Sequence, residues 1–411
     1  MNIKHIFTFS FLTAFLNSGM NAGQLKNILI DDFRNLYGWK VMTAPGGMEK
    51  CAGPGMKNPG MKVKMPGIIG KNYGIFWFKG SEKLDMDGYQ GIAFNLKGDG
   101  SDNFGYITVA DRYGYSYTYS FPLKNTGWHP VYASWSDFVP QGEFAPVNFN
   151  RTALVPSALV NFRFGTSWNI SHNNRRISAH EFCIDDLRFE KDIAANPDKN
   201  RNFFPFKTVL SKLRNKEPVR VLCMGDSITV GIGLRNRGKN RYAKILENLL
   251  REKFGYSQIY VESRAVGGAD LVWARTWCLR DFYQQRPDLV TVHFGYNDKS
   301  RKFSAKFFTG SLNDYLDKIS AVTNGKTAVL LFATIPGIGP RYNMLDDYSD
   351  AVKSLAQNRN INCLDLHTVF KKMGKFVIRS YFADMAHPNE RGHELMAQKI
   401  FSFIISRENL L

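Results

Sequence analysis

The sequence predicts two domains of different class: an all-β sandwich, then an α/β domain on a mainly parallel sheet. Three observations carry this. At 411 residues the chain exceeds one ordinary domain and has room for two cores. From about Asp31 to Glu190 it is rich in glycine and aromatic residues, with short alternating runs broken by turn residues, the pattern of antiparallel strands. From Val219 onward, apolar runs of strand length alternate with stretches of helical periodicity. The expected division is residues 28–190 for the sandwich, 191–217 for a linker and 218–411 for the α/β domain, with residues 1–22 as a leader. No internal repeat is visible.

In the sandwich, Ile92, Phe94 and Leu96 fall on one face of a strand that Gly98-Asp99-Gly100 closes. Tyr113, Tyr115, Tyr117, Tyr119 and Phe121 share one face of another, with Gly114, Ser116, Thr118 and Ser120 opposite. A uniformly aromatic face either forms core or stacks on sugar rings, and core is the commoner use. Trp39, Trp77, Trp128, Trp135 and Trp168 all fall in this domain. Between Lys191 and Pro218 the chain turns polar around Asn196-Pro197-Asp198, with a short amphipathic stretch from Val209 to Leu213; this reads as a linker with one or two helical turns.

In the second domain the strand runs are Val219 to Cys223, Gln258 to Val261, Leu289 to Phe294, Ala328 to Ala333 and Ile361 to Leu364. Between them Tyr242, Ile245, Leu246, Leu249 and Leu250 recur at helical spacing, as do Phe308, Leu312, Tyr315, Leu316 and Ile319. Ligands of such a fold belong at the C-terminal ends of the strands. The chemistry-bearing residues cluster there. Met224-Gly225-Asp226-Ser227-Ile228-Thr229 follows the first strand, Gly267-Gly268 the second, Gly295-Tyr296-Asn297-Asp298 the third, and Asp384-Met385-Ala386-His387-Pro388 precedes the last helix.

These four blocks, in this order, resemble those of the SGNH or GDSL hydrolase family, from about Val219 to the C-terminus. The resemblance implies a flavodoxin-like three-layer α/β hydrolase domain with Ser227, Asp384 and His387 as the catalytic residues. It implies an oxyanion hole of the Ser227 and Gly268 backbone N–H groups and the Asn297 side chain. One departure is Ser263, where the family usually has Asn before the glycine block; this loosens the choice between Gly267 and Gly268, and the end of the block favours Gly268. The first domain is similar to galactose-binding-like jelly rolls, which include carbohydrate-binding modules. That resemblance rests on Gly88-Tyr89-Gln90-Gly91-Ile92, Trp128, Trp135-Ser136-Asp137-Phe138 and Ile184-Asp185-Asp186-Leu187-Arg188-Phe189.

The chemistry needs these residue types. A serine hydroxyl needs a base within hydrogen-bond reach, His387, and a carboxylate on the other imidazole nitrogen, Asp384, to fix its tautomer. The tetrahedral intermediate needs donors already aimed at its oxygen. Each residue also has a plainer use: Ser227 as a helix cap, Asn297 as a turn residue, His387 as a residue at a helix start. Asp226 reads as a brace for its turn.

The net charge of +18 favours polyanions. The basic residues are dispersed without a nucleic-acid motif, so an acidic glycan or an anionic envelope is expected rather than nucleic acid. Gly233-Leu234-Arg235-Asn236-Arg237-Gly238-Lys239-Asn240 nearly spells a phosphate loop but ends in Asn where Ser or Thr must hold magnesium. His387, Glu390 and His393 do not have a zinc-protease spacing, and no metal or cofactor is expected. Lys4 and His5, the apolar stretch Ile6 to Leu16 and small or polar residues through Ala22 have the layout of a secretory signal, too short to span a membrane. A secreted or periplasmic protein is therefore expected, with no stable membrane insertion. Of the cysteines, Cys223 and Cys363 read as buried thiols, and a Cys51 to Cys183 bridge stays open as an option. The combined expectation is an exported serine esterase that removes acyl groups, foremost O-acetyl, from an acylated polysaccharide or oligosaccharide. A lipid-directed acylhydrolase or thioesterase and a non-catalytic glycan-binding protein are the alternatives.

Overall fold

The computed structural model describes residues 27–42, 49–56, 59–65, 74–78, 87–140, 154–166, 179–194, 202–272, 274, 282 and 286–408. The leader of residues 1–22 and Trp168 lie outside them.

Among the described residues the first domain is two antiparallel sheets of six strands each. One runs in the order Glu49–Gly53, Gly60–Met65, His180–Glu190, Gly91–Lys97, His129–Ser134, with Ile28–Asp31 also paired to His180–Glu190. The other runs Val139–Pro140, Ser116–Pro122, Phe104–Asp111, Leu159–Thr166, Gly74–Phe78, Trp39–Met42. Alternation puts Ile92, Phe94 and Leu96 inward from one sheet, and Ile107, Val109, Phe162 and Phe164 inward from the other. Phe94 meets Phe121 and Phe164 edge-on at ring separations of 5.3 Å, an arrangement aromatic quadrupoles favour. The buried indoles keep their donors paired: Trp39 Nε1 donates to Asp31 Oδ2 at 2.8 Å and Trp135 Nε1 to Tyr89 O at 2.9 Å.

The aromatic stripe is chiefly core, since Tyr117 and Phe121 are fully buried and Tyr119 packs against the same cluster. Tyr113 is exposed, while Tyr115 also packs against Val272, Phe303 and Phe307 of the second domain. The opposite, polar face is covered as well: Thr108 and Thr118 are buried and share a hydrogen bond of 2.9 Å. Cys51 and Cys183 both pair in register with Lys62, from opposite sides of its strand. Two strand spacings, roughly 9.5 Å, exceed the reach of a disulfide, and Cys183 is buried in its sheet.

The second domain carries a parallel five-stranded sheet in the order Ile259–Ser263, Val219–Gly225, Leu289–His293, Ala328–Phe332, Asn362–Leu364. Each strand predicted from an apolar run is present within two residues of its expected ends. Helices Phe206–Arg214 and Tyr242–Phe254 pack against the final helix Glu390–Glu408, while Ala305–Thr323 packs against Asp346–Asn358. The sheet and these two helix groups make the three layers. The final helix is held by Met396, Ile400 and Ile404, all buried in the core. Helix Phe206–Arg214 lies inside the stretch read as linker. It buries Phe206, Val209, Leu210 and Leu213 in the same core, so this part of the stretch packs as the second domain's own. Fully burying such a side chain is worth about 1.5–3 kcal/mol, enough to hold a nine-residue helix that is marginal alone. Cys223 is buried and Cys363 half-buried, and burial pushes both thiols up to about 11. Among the described residues no helix is long and apolar enough to cross a membrane, and no group of His, Cys, Asp and Glu could hold a metal ion.

Candidate active site

Strand Val219–Gly225 delivers Ser227 to the C-terminal rim of the sheet. The turn after it tolerates no side chain at Gly225, where a Cβ would collide with Thr229 Oγ1 and sit 2.7 Å from His293 O. Asp226 caps the short helix Ser227–Val230, its Oδ1 accepting from Ile228 N at 2.9 Å, so it does brace the turn. That helix is a single turn ended by Gly231 at φ +87°, so its dipole adds less than a longer helix would. Ser263, which departs from the family pattern, donates its hydroxyl to Thr229 O at 3.1 Å and steadies the same turn.

His387 comes from the loop before the last helix, and its Nε2 lies 2.9 Å from Ser227 Oγ. Its Nδ1 lies 2.7 Å from Asp384 Oδ2. An ionised Asp384 accepts from Nδ1–H, which leaves Nε2 to accept the Ser227 hydroxyl proton. Asp384 Oδ1 also accepts from Ala386 N at 2.7 Å and His387 N at 2.8 Å. Burial opposes the Asp384 charge, but the bonds from the His387 ring and these two N–H groups outweigh it and hold the carboxyl below its ordinary 3.8. The Asp384 side chain is 53% exposed and that of His387 20%, so the pair lies at the surface.

The loop is pinned at three places. Ala383 N donates to His387 O at 2.8 Å, Ile338 N donates to Met385 O at 3.0 Å, and Phe382 and Pro388 form an isolated bridge. On its other side Gly233, at φ +94°, approaches so closely that a Cβ there would lie 3.3 Å from His387 Cβ. The near phosphate loop thus forms one wall of the site, and its short helix Arg237–Asn240 is capped by Asn236.

Gly268 is exposed at φ +76°, with nothing within 4 Å of where a Cβ would stand. Among the described residues neither its N–H nor that of Ser227 finds an acceptor. Asn297 Nδ2 donates to Ala269 O at 2.9 Å, with a long contact of 3.5 Å to Asp226 Oδ2. One amide hydrogen is thus committed and the other loosely held. Beneath lie buried carboxyls. Asp298 Oδ1 accepts from Leu271 N at 3.0 Å, and Asp270 pairs with Arg301 at 2.9 Å. Burial raises Asp226 to about 7, and burial together with Asp270 raises Asp298 well above the carboxylate range.

His393 and Glu390 do not converge on His387 as ligands. His393 is buried, stacks on Tyr242 at 6.0 Å and accepts from Tyr242 N at 3.2 Å, satisfying an orphan N–H at the start of helix Tyr242–Phe254. Glu390 Oε1 accepts from Arg235 N at 3.2 Å. Sequence reasoning missed Arg341, whose Nη1 donates to Tyr296 OH at 2.5 Å beside the site. The signal available was position: Gly337 to Arg341 sits in the connection after strand Ala328–Phe332, at the same rim.

The chain is similar to several known proteins. The GDSL-like Lipase/Acylhydrolase family model matches residues 223–395. An acetylxylan esterase of Xylanibacter ruminicola is 25% identical over 214 residues, 46% of this chain; the match spans 44% of that protein, less than half its length. An acetylxylan esterase of Geobacillus stearothermophilus is 25% identical over 203 residues, 44% of this chain and 90% of its own. The family 11 carbohydrate-binding module of Clostridium thermocellum, solved with a β-1,3-1,4-linked tetrasaccharide, is 16% identical with a TM-score of 0.36, covering 42% of this chain and 100% of the module. The match to the GDSL-like lipase/acylhydrolase family model falls on the C-terminal domain, across its four blocks on one rim of a parallel sheet.

Proposed function

We propose that this protein is an exported serine esterase that removes acyl groups, chiefly O-acetyl, from a carbohydrate. The observation that carries the reading is the chain of contacts from Ser227 Oγ to His387 Nε2 at 2.9 Å and from His387 Nδ1 to Asp384 at 2.7 Å, beside the open space at Gly268. The carbohydrate assignment is supported by both acetylxylan esterases among the relatives. Export is supported by the charged, then apolar, then small-residue order of residues 1–22, which lie outside the described structure.

In this reading Ser227 Oγ attacks the ester carbonyl as His387 Nε2 takes its proton, and Asp384 stabilises the imidazolium. The Ser227 and Gly268 N–H groups and Asn297 Nδ2 receive the developing oxyanion. Collapse breaks the bond to the sugar oxygen, which takes the proton from His387 and leaves as the hydroxyl, and the acyl group stays on Ser227. Water, deprotonated by the same imidazole, then releases the acid and restores the serine.

Ser227→Ala should abolish acetate release from acetylated xylan and p-nitrophenol release from its acetate while the protein stays folded. Retained turnover would exclude Ser227 as nucleophile. A series of acyl esters with a steep preference for long chains would instead favour a lipid substrate. Polysaccharide affinity without turnover of any ester would favour a binding protein.

A further inference from the structure

The connection after strand Ala328–Phe332 lies against the catalytic loop. Ile338 N is bonded to Met385 O, and a Cβ on Gly337 would stand 2.8 Å from Arg341 Cβ and 3.0 Å from Met385 O. Arg341 therefore starts its side chain at the edge of the loop that carries Asp384 and His387. Its guanidinium then lies over the Tyr296 ring, 5.5 Å from the centroid, and donates to Tyr296 OH at 2.5 Å. Tyr296 precedes Asn297 in the chain and stands within electrostatic reach of Asp384 and Asp226. Arg341 is thus fixed between the base loop and the oxyanion loop.

Its charge has no carboxylate among the described residues, and the residue is exposed. Several other arginines carry a carboxylate partner, Arg188 with Asp186 and Glu190, Arg264 with Glu262, Arg301 with Asp270 and Arg359 with Asp317, whereas Arg112 and Arg407, like Arg341, donate to neutral oxygens away from this rim. A guanidinium offers five N–H donors in a planar fork, and Tyr296 takes one. The remaining edge is suited to two parallel hydrogen bonds from a carboxylate, and no internal ion pair has to be broken to form them. Across the site, Arg235, Arg237 and Lys239 are exposed on the wall that Gly233 sets against His387, extending a positive field over the cleft.

We propose that Arg341 binds a carboxylate of the substrate, so that the ester cleaved at Ser227 is carried by a glycan containing uronic acid. This rests on the esterase reading above and names its substrate class. Tyr296 acts as a positioning residue, holding the guanidinium in place.

The test uses the full chain and O-acetylated galacturonate oligosaccharides in two forms, free acid and methyl ester, with acetate release as the readout. The wild type should favour the free acid about tenfold in kcat/KM, with the difference in KM and shrinking as salt rises. Arg341→Gln should bring the ratio of the two forms close to one, and Arg341→Lys should keep part of it. If the glutamine variant fails to fold, the lysine variant carries the test. A wild-type ratio near one, or a ratio unchanged in Arg341→Gln, overturns the role of Arg341 while leaving the esterase intact. No acetate from either form, together with no p-nitrophenol from the acetate ester, overturns the esterase reading and this inference with it.

Discussion

Replacing Asn297 by Ala tests the oxyanion half of the site most directly. The amide nitrogen is anchored on Ala269 O at 2.9 Å, and only a 3.5 Å contact to Asp226 restrains its second hydrogen. That hydrogen is free to serve a developing oxyanion without reorganising the loop. Removing one preset donor of this kind costs about 10²–10³ in kcat, or about 3–4 kcal/mol. Ground-state binding changes little, because the bond strengthens only as the carbonyl oxygen gains charge. Stability should also fall by about 1 kcal/mol, since Ala269 O loses its donor, which for a domain of this size is a Tm drop of about 2–4 °C. The assay is saturation kinetics on p-nitrophenyl acetate with thermal melts of the same preparations. A kcat within threefold of wild type, or a loss lying wholly in KM, would refute the assignment. Asn297→Asp keeps the shape but sets an acceptor beside Asp226, and should be slower still.

Gly225→Ala should destabilise the fold by more than about 2 kcal/mol, because the new Cβ meets Thr229 Oγ1 and the His293 carbonyl at once; a soluble variant with unchanged Tm would contradict the close packing described for this turn. Asp226→Asn probes the buried carboxyl. Its folded pKa of about 7 exceeds the ordinary 3.8, so its contribution to stability is full below about pH 4 and is lost as pH rises to 7. The unfolding free energy of the variant relative to wild type, from denaturant titrations, should therefore be higher at pH 8 than at pH 5 by up to about 3 kcal/mol, and an equal offset at both pH values would reject a raised pKa.

Much of the site could be read from the sequence because each block combines a strand end with a residue that has few other uses there. The run from Val219 ends in glycine where only glycine fits, and Gly268 takes a positive φ, so both positions mark backbone requirements visible as letters. Asp384 and His387 lie three residues apart in one loop, and local spacing was enough to pair them. Helix Phe206–Arg214 was underestimated although Phe206, Val209, Leu210 and Leu213 keep helical period, because the surrounding polar composition suggested a linker. The covered polar face of the sandwich at Thr108 and Thr118 was not legible, since alternation tells which residues share a face and not what lies over it. Arg341 was missed for a related reason: its partner Tyr296 is 45 residues away, and nothing local marks an arginine that lacks an acidic neighbour.

The two halves of the site are built differently, and this sets how each should fail. Asp384 and His387 hang on a surface loop whose bonds are mostly its own: Asp384 accepts from Ala386 and His387, and Ala383 donates to His387 O. In the oxyanion half, buried Asp226 braces its own turn, while half-buried Asn297 reaches across to Ala269 and buried Asp298 to Leu271. Substitutions in the base loop, such as Asp384→Ala, should therefore cost activity with little stability, because water can replace the lost partners of a half-exposed carboxylate. Substitutions below the oxyanion loops should cost both, because each leaves a buried polar group unpaired. Preorganised donors are useful only if they cannot relax toward the substrate, so the rigid half belongs under the oxyanion and the adaptable half under the proton shuttle.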